Sequence, residues 1–254
     1  MMKFIAATLL ALGMSTPALA QGQASAPTLA DLESVSPALS RYTQQGLLGS
    51  VWKRSGLTPR ERSIVTLSIM IGRGQTSELP FHLDLALENG VKPAEISEIV
   101  THLAFYSGWA NATTAVPFVK QAFAGRKIGT DQLPSATPKQ LPLNETAEAA
   151  RVKFVDENFG TISPGLVKDT TDFLFRDLWL RPDLAPRDRS LVTISSLLAN
   201  GQSAQLGAHM NIGTNNGLTR EEIGEIISHS GFYAGWPHAF GAMSVAKSVF
   251  EARK

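Results

Sequence analysis

The sequence predicts an all-α protein built from two tandem copies of one helical unit. With a constant offset of 127 residues and no gap, Leu57 to Phe123 aligns with Leu184 to Phe250, and more than a third of the aligned positions are identical. Apolar residues recur at helical spacing in each copy, and no stretch alternates convincingly enough to be a strand. We therefore expect repeat 1 over residues 28–127, a proline-bearing linker over 128–143 and repeat 2 over 144–254.

Four helices are predicted in repeat 1, and repeat 2 should echo each of them. Long apolar stretches mark the helices, with proline near their starts and Asn-Gly or Gly near their ends. Pro80 would break a helix interior but fits a first turn, so the second helix should begin near Thr76 or Ser77. The predicted ranges are 60–71, 77–88, 93–106 and 111–123.

Residues 1–20 have the pattern of a secretory signal peptide. Lys3 precedes an apolar run from Phe4 to Leu12, and Ala18-Leu19-Ala20 offers small residues for cleavage near Ala20. The apolar run is too short to be a permanent membrane anchor. We therefore expect an exported protein without a membrane anchor, periplasmic or secreted after cleavage.

The composition narrows the classes of function. Removing residues 1–20 removes Lys3 and no acidic residue from the 23 basic and 22 acidic side chains, so the mature chain is electrically neutral. That balance gives no electrostatic case for binding nucleic acid. The chain has no cysteine, which excludes disulfides, thiolate nucleophiles and cysteine metal sites. A small molecule is the expected partner.

Four of the five histidines repeat with the same offset, His82 with His209 and His102 with His229. Glu78 lies four residues before His82, so both side chains should share one helix face near the positive end of the helix dipole. Such a pair can hold imidazole in one tautomer and pass a proton near neutral pH. The competing interpretation is an ordinary surface pair of little energetic value.

The two copies differ at the partner of this histidine. Position 205 is Gln where repeat 1 has Glu78, and Gln can orient an imidazole but cannot act as a base. We predict Glu78, His82 and His209 as catalytic residues, with the full pair kept in repeat 1. His238 is unique to repeat 2 and is a candidate to compensate for Gln205.

The pair Glu98 and His102 recurs intact as Glu225 and His229. We interpret these two histidines as core-edge side chains satisfied by their own helical turn, in preference to a catalytic role. A set of His and Glu side chains can indicate a metal site. The spacings here do not match a zincin helix, so no metal is predicted.

Arginine and tyrosine pairs supply candidate contacts to a substrate. Arg62 and Arg189 lie at helix starts and could capture a carboxylate with a guanidinium fork. The alternative is a structural ion pair or a contact between the repeats. Tyr106 and Tyr233 end the third helices and could donate from their hydroxyls. These four residues and His238 are the predicted substrate-binding residues.

Several motifs together resemble the carboxymuconolactone decarboxylase family. They are Arg-x-Arg-Ser before an apolar helix, Glu-Leu-x-x-His, Asn-Gly, Glu-Ile-x-Glu and Tyr-x-Gly-x-x-Ala. Each repeat resembles one family unit, and the resemblance covers nearly the whole mature chain. A related branch resembles alkylhydroperoxidase D and carries Cys-x-x-Cys ahead of the histidine. Here those positions are Gln75 and Glu78, and Gln202 and Gln205, which excludes thiol peroxidase chemistry.

The resemblance implies a cofactor-free lyase that decarboxylates a lactone or related unsaturated acid. It places the proton donor at His82, with Glu78 tuning and orienting the ring. It also implies a ring-like homo-oligomer, in which the fused pair of units forms a trimer that is a pseudo-hexamer. Two alternatives stay open: an isomerase or tautomerase that uses the same proton shuttle, and a non-catalytic periplasmic binding protein.

Overall fold

The computed structural model describes residues 27–253, in which both repeats form the same helices in the same order. The predicted signal peptide lies outside this range. Repeat 1 contains α3 (Pro59–Gly72), α4 (Leu79–Glu88), α5 (Pro93–Ser107) and α6 (Trp109–Gly125). Repeat 2 contains α9 (Pro186–Ala199), α10 (Ser203–Asn215), α11 (Arg220–Ala234) and α12 (Trp236–Ala252). No strand occurs over residues 27–253, and the all-α prediction is confirmed.

Each repeat opens with a less regular helical segment. In repeat 1 the elements are α1 (Leu29–Val35), α2 (Pro37–Arg41), a π-helical turn (Tyr42–Leu48) and a 3-10 turn (Val51–Lys53). In repeat 2 they are α7 (Glu145–Phe159), α8 (Pro164–Asp169), a π-helical turn (Thr170–Phe175) and a 3-10 turn (Leu178–Leu180). In the described part of the chain, no helix is long and apolar enough to cross a membrane.

The core forms where α3 of repeat 1 packs against α9 of repeat 2. Both helices are largely apolar and are buried on nearly every side; Ile64, Leu67, Leu191 and Ile194 have no solvent exposure. In addition, α5 packs on α9 and α11 packs on α3. Each repeat therefore completes the core of the other, and the surface where they meet is called the seam below.

Ion pairs cross this seam at the starts of the two central helices. Arg60 donates to Asp188 over 2.7 Å, and the aligned Arg187 donates to Glu61 over 2.5 Å. Arg60 and Arg187 thus join the two repeats through equivalent contacts. Each is partly buried, so it aligns the two copies in addition to adding charge attraction.

Helix α4 begins later than the sequence predicts. The predicted start near Thr76 or Ser77 is wrong, because α4 begins at Leu79 with Glu78 as its N-cap residue. In repeat 2 the corresponding helix α10 begins at Ser203, which aligns with Thr76. The two helices therefore end at aligned positions but start three residues apart.

Pro80 explains this difference between the copies. Proline lacks an N–H, and its ring clashes with the carbonyl four residues earlier in a continuing helix. Repeat 2 has Gly207 at the aligned position, which permits the longer helix. As a consequence, Glu78 stands at the entrance of α4, whereas Gln205 lies inside α10.

The linker over residues 128–143 lies against repeat 2. It contains one short 3-10 turn, Thr130–Gln132. The Leu141 N–H donates to the Leu180 carbonyl over 2.7 Å, and Gln140 Nε2 donates to Asp177 Oδ1 over 3.0 Å. The linker is thereby fastened to the turn that opens the second repeat.

Candidate active site

Two clusters of histidine and aromatic rings lie at the seam, and each draws residues from both repeats. Cluster 1 consists of Trp52, His82, His229 and Tyr233. Cluster 2 consists of the aligned residues Trp179, His209, His102 and Tyr106. The structure thus pairs a histidine of one repeat with a histidine of the other, and neither repeat holds a complete site alone.

Cluster 1 is a tight box of rings around His82. The Trp52 ring stacks on His82 with 6.4 Å between ring centroids, and Tyr233 meets His82 edge-on at 5.5 Å. Trp52 Nε1 donates to the Tyr233 hydroxyl over 2.8 Å, which fixes both walls. His229 lies 5.0 Å from the Tyr233 ring and closes the interior side.

Cluster 2 reproduces this arrangement. Trp179 stacks on His209 at 6.1 Å, Tyr106 meets His209 edge-on at 5.2 Å, and Trp179 Nε1 donates to the Tyr106 hydroxyl over 2.9 Å. His102 stacks on Tyr106 at 4.7 Å. The internal construction of the two clusters is therefore equivalent.

The inner histidine of cluster 1, His229, is fixed by residues of repeat 1. Its Nδ1 lies 3.4 Å from Arg62 Nη1, and its Nε2 lies 2.8 Å from Thr66 Oγ1. Because a guanidinium only donates, Nδ1 accepts and Nε2 carries the proton. Burial, with a contribution from the Arg62 charge, lowers the pKa of His229 to about 3. This ring is neutral at pH 7.

His102 is fixed in the same way in cluster 2. Its Nε2 lies 2.7 Å from Thr193 Oγ1, and its Nδ1 lies 3.4 Å from Arg189 Nη1. Burial and the Arg189 charge hold the pKa of His102 well below its ordinary value. The expectation that His102 and His229 are satisfied by their own helical turn is wrong, because their partners come from the opposite repeat.

Arg62 and Arg189 are fully buried in ion pairs across the seam. Arg62 Nη1 donates to Glu225 Oε1 over 2.8 Å, and Arg189 Nη2 donates to Glu98 Oε2 over 2.6 Å. Each arginine also contacts an inner histidine. These contacts favour the structural alternative for both arginines, and their predicted role in substrate binding stays a prediction.

His82 is the outer histidine of cluster 1. The ring is only 6% exposed, and its buried Nδ1 has no hydrogen-bond partner. Burial lowers the pKa of His82 to about 4, so the ring is neutral at pH 7. Because buried polar atoms are almost always paired in folded proteins, this Nδ1 is a candidate to contact a ligand, a property that His209 Nδ1 shares.

Glu78 lies at the outer edge of cluster 1. Its Oε2 is 3.9 Å from His82 Nε2, and its side chain is 50% exposed. The carboxylate forms no N-cap hydrogen bond, so it is free to face the imidazole. The predicted pair of Glu78 and His82 is therefore brought together, with the carboxylate between the buried ring and solvent.

His209 has no such partner. It is buried, its Nδ1 is likewise unpartnered, and burial lowers its pKa to about 4. Gln205 is exposed, and among the hydrogen bonds of the described residues none joins it to His209. Within the described residues, cluster 2 therefore keeps the predicted histidine without a carboxylate paired to it.

The two predicted tyrosines lie inside the clusters. Burial raises the pKa of Tyr233 to about 12, an effect only partly offset by hydrogen bonds from Trp52 and Thr66. Burial also raises the pKa of Tyr106. Both phenols stay protonated at neutral pH. Because the hydroxyl of each accepts a hydrogen bond from a tryptophan, its own proton is available for a ligand.

His238 contacts a different part of the seam. Its Nε2 lies 3.4 Å from Arg73 Nη1, and its ring lies beside Gly201. Within residues 27–253 it shares no hydrogen bond or ring contact with His209. This position favours a structural contact near the end of α9 over the predicted compensation for Gln205.

Two pairs of site residues were missed from the sequence. Trp52 and Trp179 form a wall of each cluster, while Thr66 and Thr193 bind the inner histidines. All four obey the 127-residue offset, so extending the alignment upstream and asking which identical positions are polar could have found them. Over residues 27–253, no group of three His, Cys, Asp or Glu side chains is arranged to hold a metal ion.

The structure shows the class of protein: an all-helical tandem duplication with a His–Glu pair at the seam between its two copies. The chain belongs to the carboxymuconolactone decarboxylase family, which it matches twice, over residues 37–121 and 164–248. Together these matches cover more than half of the chain. Each begins at the proline that starts α2 or α8 and ends within α6 or α12, which confirms the tandem arrangement of helical units.

Two relatives indicate the chemistry within the family. The 4-carboxymuconolactone decarboxylase of Acinetobacter baylyi is 38% identical over 95 residues, which cover 37% of this chain and 71% of that protein. The nitrosuccinic acid decarboxylase npaB of Metarhizium robertsii is 41% identical over 68 residues, which cover 27% of this chain and 48% of that protein. Because both relatives are named decarboxylases, the comparisons support carboxy-lyase activity for this chain.

Proposed function

We propose that the protein is an exported, cofactor-free carboxy-lyase that decarboxylates a lactone or related unsaturated acid at cluster 1. The observation that carries this proposal is the buried His82 ring, whose Nε2 lies 3.9 Å from the Glu78 carboxylate and whose Nδ1 has no hydrogen-bond partner among the described residues. The decarboxylase relatives support the reaction class. The signal-like pattern of residues 1–20 supports export.

In this reaction the substrate serves as its own electron sink. The bond to the leaving carboxylate breaks, and its electron pair passes through the adjacent double bond into the lactone carbonyl. Carbon dioxide leaves, and the dienolate that remains takes one proton at the distal carbon. The protein must therefore exclude water, stabilise the dienolate oxygen and deliver one proton.

His82 delivers that proton in the proposed mechanism. A ring with a pKa of about 4 is neutral at pH 7, so it gives a proton from one nitrogen as the other nitrogen gains one. Glu78, half-exposed and 3.9 Å from Nε2, relays the replacement proton from solvent. In the starting tautomer Nδ1 carries the proton and faces the substrate, and the Tyr233 hydroxyl donates to the dienolate oxygen. After the transfer Nε2 carries the proton that Glu78 delivered, and proton exchange with solvent through Glu78 restores the starting tautomer.

We also propose that the chain assembles as a trimer. Trp109 and Trp236 start the aligned helices α6 and α12, and both are more than half exposed. Phe81, Phe105, Phe240 and Met243 are exposed as well. Large exposed apolar side chains are common at interfaces between subunits, and the number of three subunits rests on the family resemblance. This proposal is independent of the assignment of His82.

The test of the proposed function is release of carbon dioxide from 4-carboxymuconolactone by the purified protein. We expect stoichiometric carbon dioxide and a product one carboxyl group smaller, without added metal or cofactor. A rearranged product with no carbon dioxide would support the isomerase alternative. Saturable binding with no change in the ligand would support the binding-protein alternative, and either result contradicts the proposal.

A further inference from the structure

Arg54 and Arg181 occupy aligned positions but have different partners. Arg181 Nη2 donates to Glu98 Oε1 over 2.7 Å, and its Nε donates to the same carboxylate over 2.9 Å. Its two Nη atoms also donate to linker carbonyls, those of Ala136 over 3.0 Å and Ser135 over 2.9 Å. The Arg181 side chain is only 11% exposed, so its guanidinium is occupied by the protein itself.

Arg54 is much less engaged. Its side chain is 40% exposed, and its Nη1 donates to Ser228 Oγ over 2.6 Å. The same atom lies 3.8 Å from Glu225 Oε1, beyond hydrogen-bond distance. No other side-chain hydrogen bond of Arg54 occurs within residues 27–253. A guanidinium has five N–H donors in a planar fork, and this fork uses one of its nitrogens on Ser228, so donors remain for a ligand.

Arg181 also has more negatively charged neighbours than Arg54. Besides Glu98, the carboxylates of Asp177 and Asp183 raise the pKa of Arg181, which means that they neutralise its charge. The aligned positions around Arg54 are Ser50 and Gly56, which carry no charge. The negative neighbours that compensate Arg181 are therefore missing from the first copy.

Within the described residues, Glu225 is the carboxylate that lies within 4.0 Å of both guanidinium groups beside cluster 1. Glu225 binds the buried Arg62 at 2.8 Å and is the nearest carboxylate to Arg54. Because Glu225 is hydrogen-bonded to Arg62, it compensates the more distant charge of Arg54 only weakly. Glu78 adds a second carboxylate at the outer edge of this cluster, so the edge carries both signs of charge. Arg54 is still the less paired of the two aligned arginines, and a guanidinium with few protein partners attracts anions.

The position of Arg54 places this charge at the edge of the candidate site. It follows two residues after Trp52, which stacks on His82. Its guanidinium touches Ser228, the residue before His229, and its charge helps to lower the pKa of His229. Arg54 thus bridges the two elements that supply opposite walls of cluster 1.

We propose that Arg54 binds a carboxylate of the substrate and determines the preference of cluster 1 for anions. The proposal rests on the proposed function and assigns the recognition step to one residue. The carboxylate held is one that the product keeps. A guanidinium on the leaving carboxylate would stabilise its charge and oppose its loss, whereas a retained carboxylate can be bound equally before and after the reaction.

The experiment is a titration with succinate, a simple dicarboxylate, followed by NMR of the His82 and His229 ring protons. The proteins compared are wild type, Arg54→Met, Arg54→Lys and Lys53→Met. Lys53 is the adjacent exposed cation and is the matched control for loss of one charge. Thermal unfolding checks that each variant is folded. The Arg54 carbonyl that accepts a hydrogen bond from Arg62 belongs to the backbone, so the substitutions at Arg54 keep this contact.

We expect succinate to shift the ring signals in wild type and Lys53→Met with dissociation constants within about twofold. A lost charge-assisted pair should weaken binding at least about tenfold in Arg54→Met, with partial recovery in Arg54→Lys. Absence of binding to wild type, or equal binding to Arg54→Met, would overturn the proposal. The readout needs no turnover, so failure of decarboxylation is a separate result.

Discussion

Cluster 1 and cluster 2 have the same interior and different surroundings. Both stack a tryptophan on the outer histidine and bind the inner histidine to a threonine of the opposite repeat. Around cluster 2, the Phe175 ring stacks on Trp179 at 6.2 Å, and the linker caps Arg181. The residue aligned with Phe175 is Leu48, which is itself more than a third exposed.

This difference separates the structural role of a cluster from its chemical role. The interior rings and ion pairs hold α3 against α9, so both copies need them for folding. The residues at the edges of the clusters do not hold these helices together, and they differ between the copies. Glu78 in repeat 1 aligns with Gln205 in repeat 2, and the partly exposed Arg54 aligns with Arg181, which the linker covers. This contrast supports our proposal that cluster 1 carries the chemistry and that cluster 2 serves the fold.

Removing the buried carboxylates should produce the largest change in stability. Glu98→Gln leaves Arg181 and Arg189 beside a neutral group with no solvent, and should reduce the free energy of unfolding by about 3–5 kcal/mol. Glu225→Gln should cost less, about 2 kcal/mol, since Glu225 and Arg54 are partly exposed. Urea unfolding at pH 7 measures both values.

The order of these two losses is the informative result. Equal destabilisation, or a larger loss for Glu225→Gln, would contradict the view that cluster 2 is the more closed of the two. The exposed ion pair of Lys153 and Glu157 supplies a control, because Glu157→Gln should change the unfolding free energy by less than about 0.5 kcal/mol.

Acidification should weaken both clusters, by a smaller amount for each histidine than the loss of a carboxylate. The pKa values of His82 and His209 fall from 6.5 to about 4 in the folded protein. A lowered histidine pKa contributes stability above the unfolded value of 6.5, and this contribution is lost as pH falls toward 4. Between pH 7 and pH 5 we expect a loss of about 1–2 kcal/mol per buried histidine in urea unfolding.

Replacing one buried histidine at a time tests whether it causes the pH dependence of the unfolding free energy. His82→Asn should reduce the loss of unfolding free energy between pH 7 and pH 5 by the contribution of one histidine, and His209→Asn should do the same. Unfolding free energies that do not change over this range in wild type would mean that the rings are not buried in neutral form.

The repeat alignment predicted the helices well because each copy carries its own start and stop signals. Proline starts α3 and α9, and glycine with positive φ ends α5 at Gly108 and α11 at Gly235. The start of α4 was misplaced because a proline is compatible with several positions in the first turn. In the structure Pro80 is the second residue of α4, so the helix starts at Leu79, two or three residues later than predicted.

The partners of the histidines could not be predicted from one copy. Spacing four apart placed Glu98 and His102 on one helix face, and that much is correct. The face turns toward the other repeat, where Arg189 and Thr193 take the two side chains separately. An alignment identifies equivalent positions but does not say which copies touch, since that depends on how α3 and α9 pack.

The most direct test of the division between the clusters is turnover of 4-carboxymuconolactone by His82→Ala and His209→Ala, normalised to folded protein. The two histidines are aligned, similarly buried and similarly placed between rings, so each variant controls for the structural effect of the other. We predict that His82→Ala lowers kcat at least about 100-fold, the usual scale for a lost acid–base group, and that His209→Ala stays within about threefold of wild type. Equal losses in the two variants, or full activity in His82→Ala, would contradict the assignment of the chemistry to cluster 1.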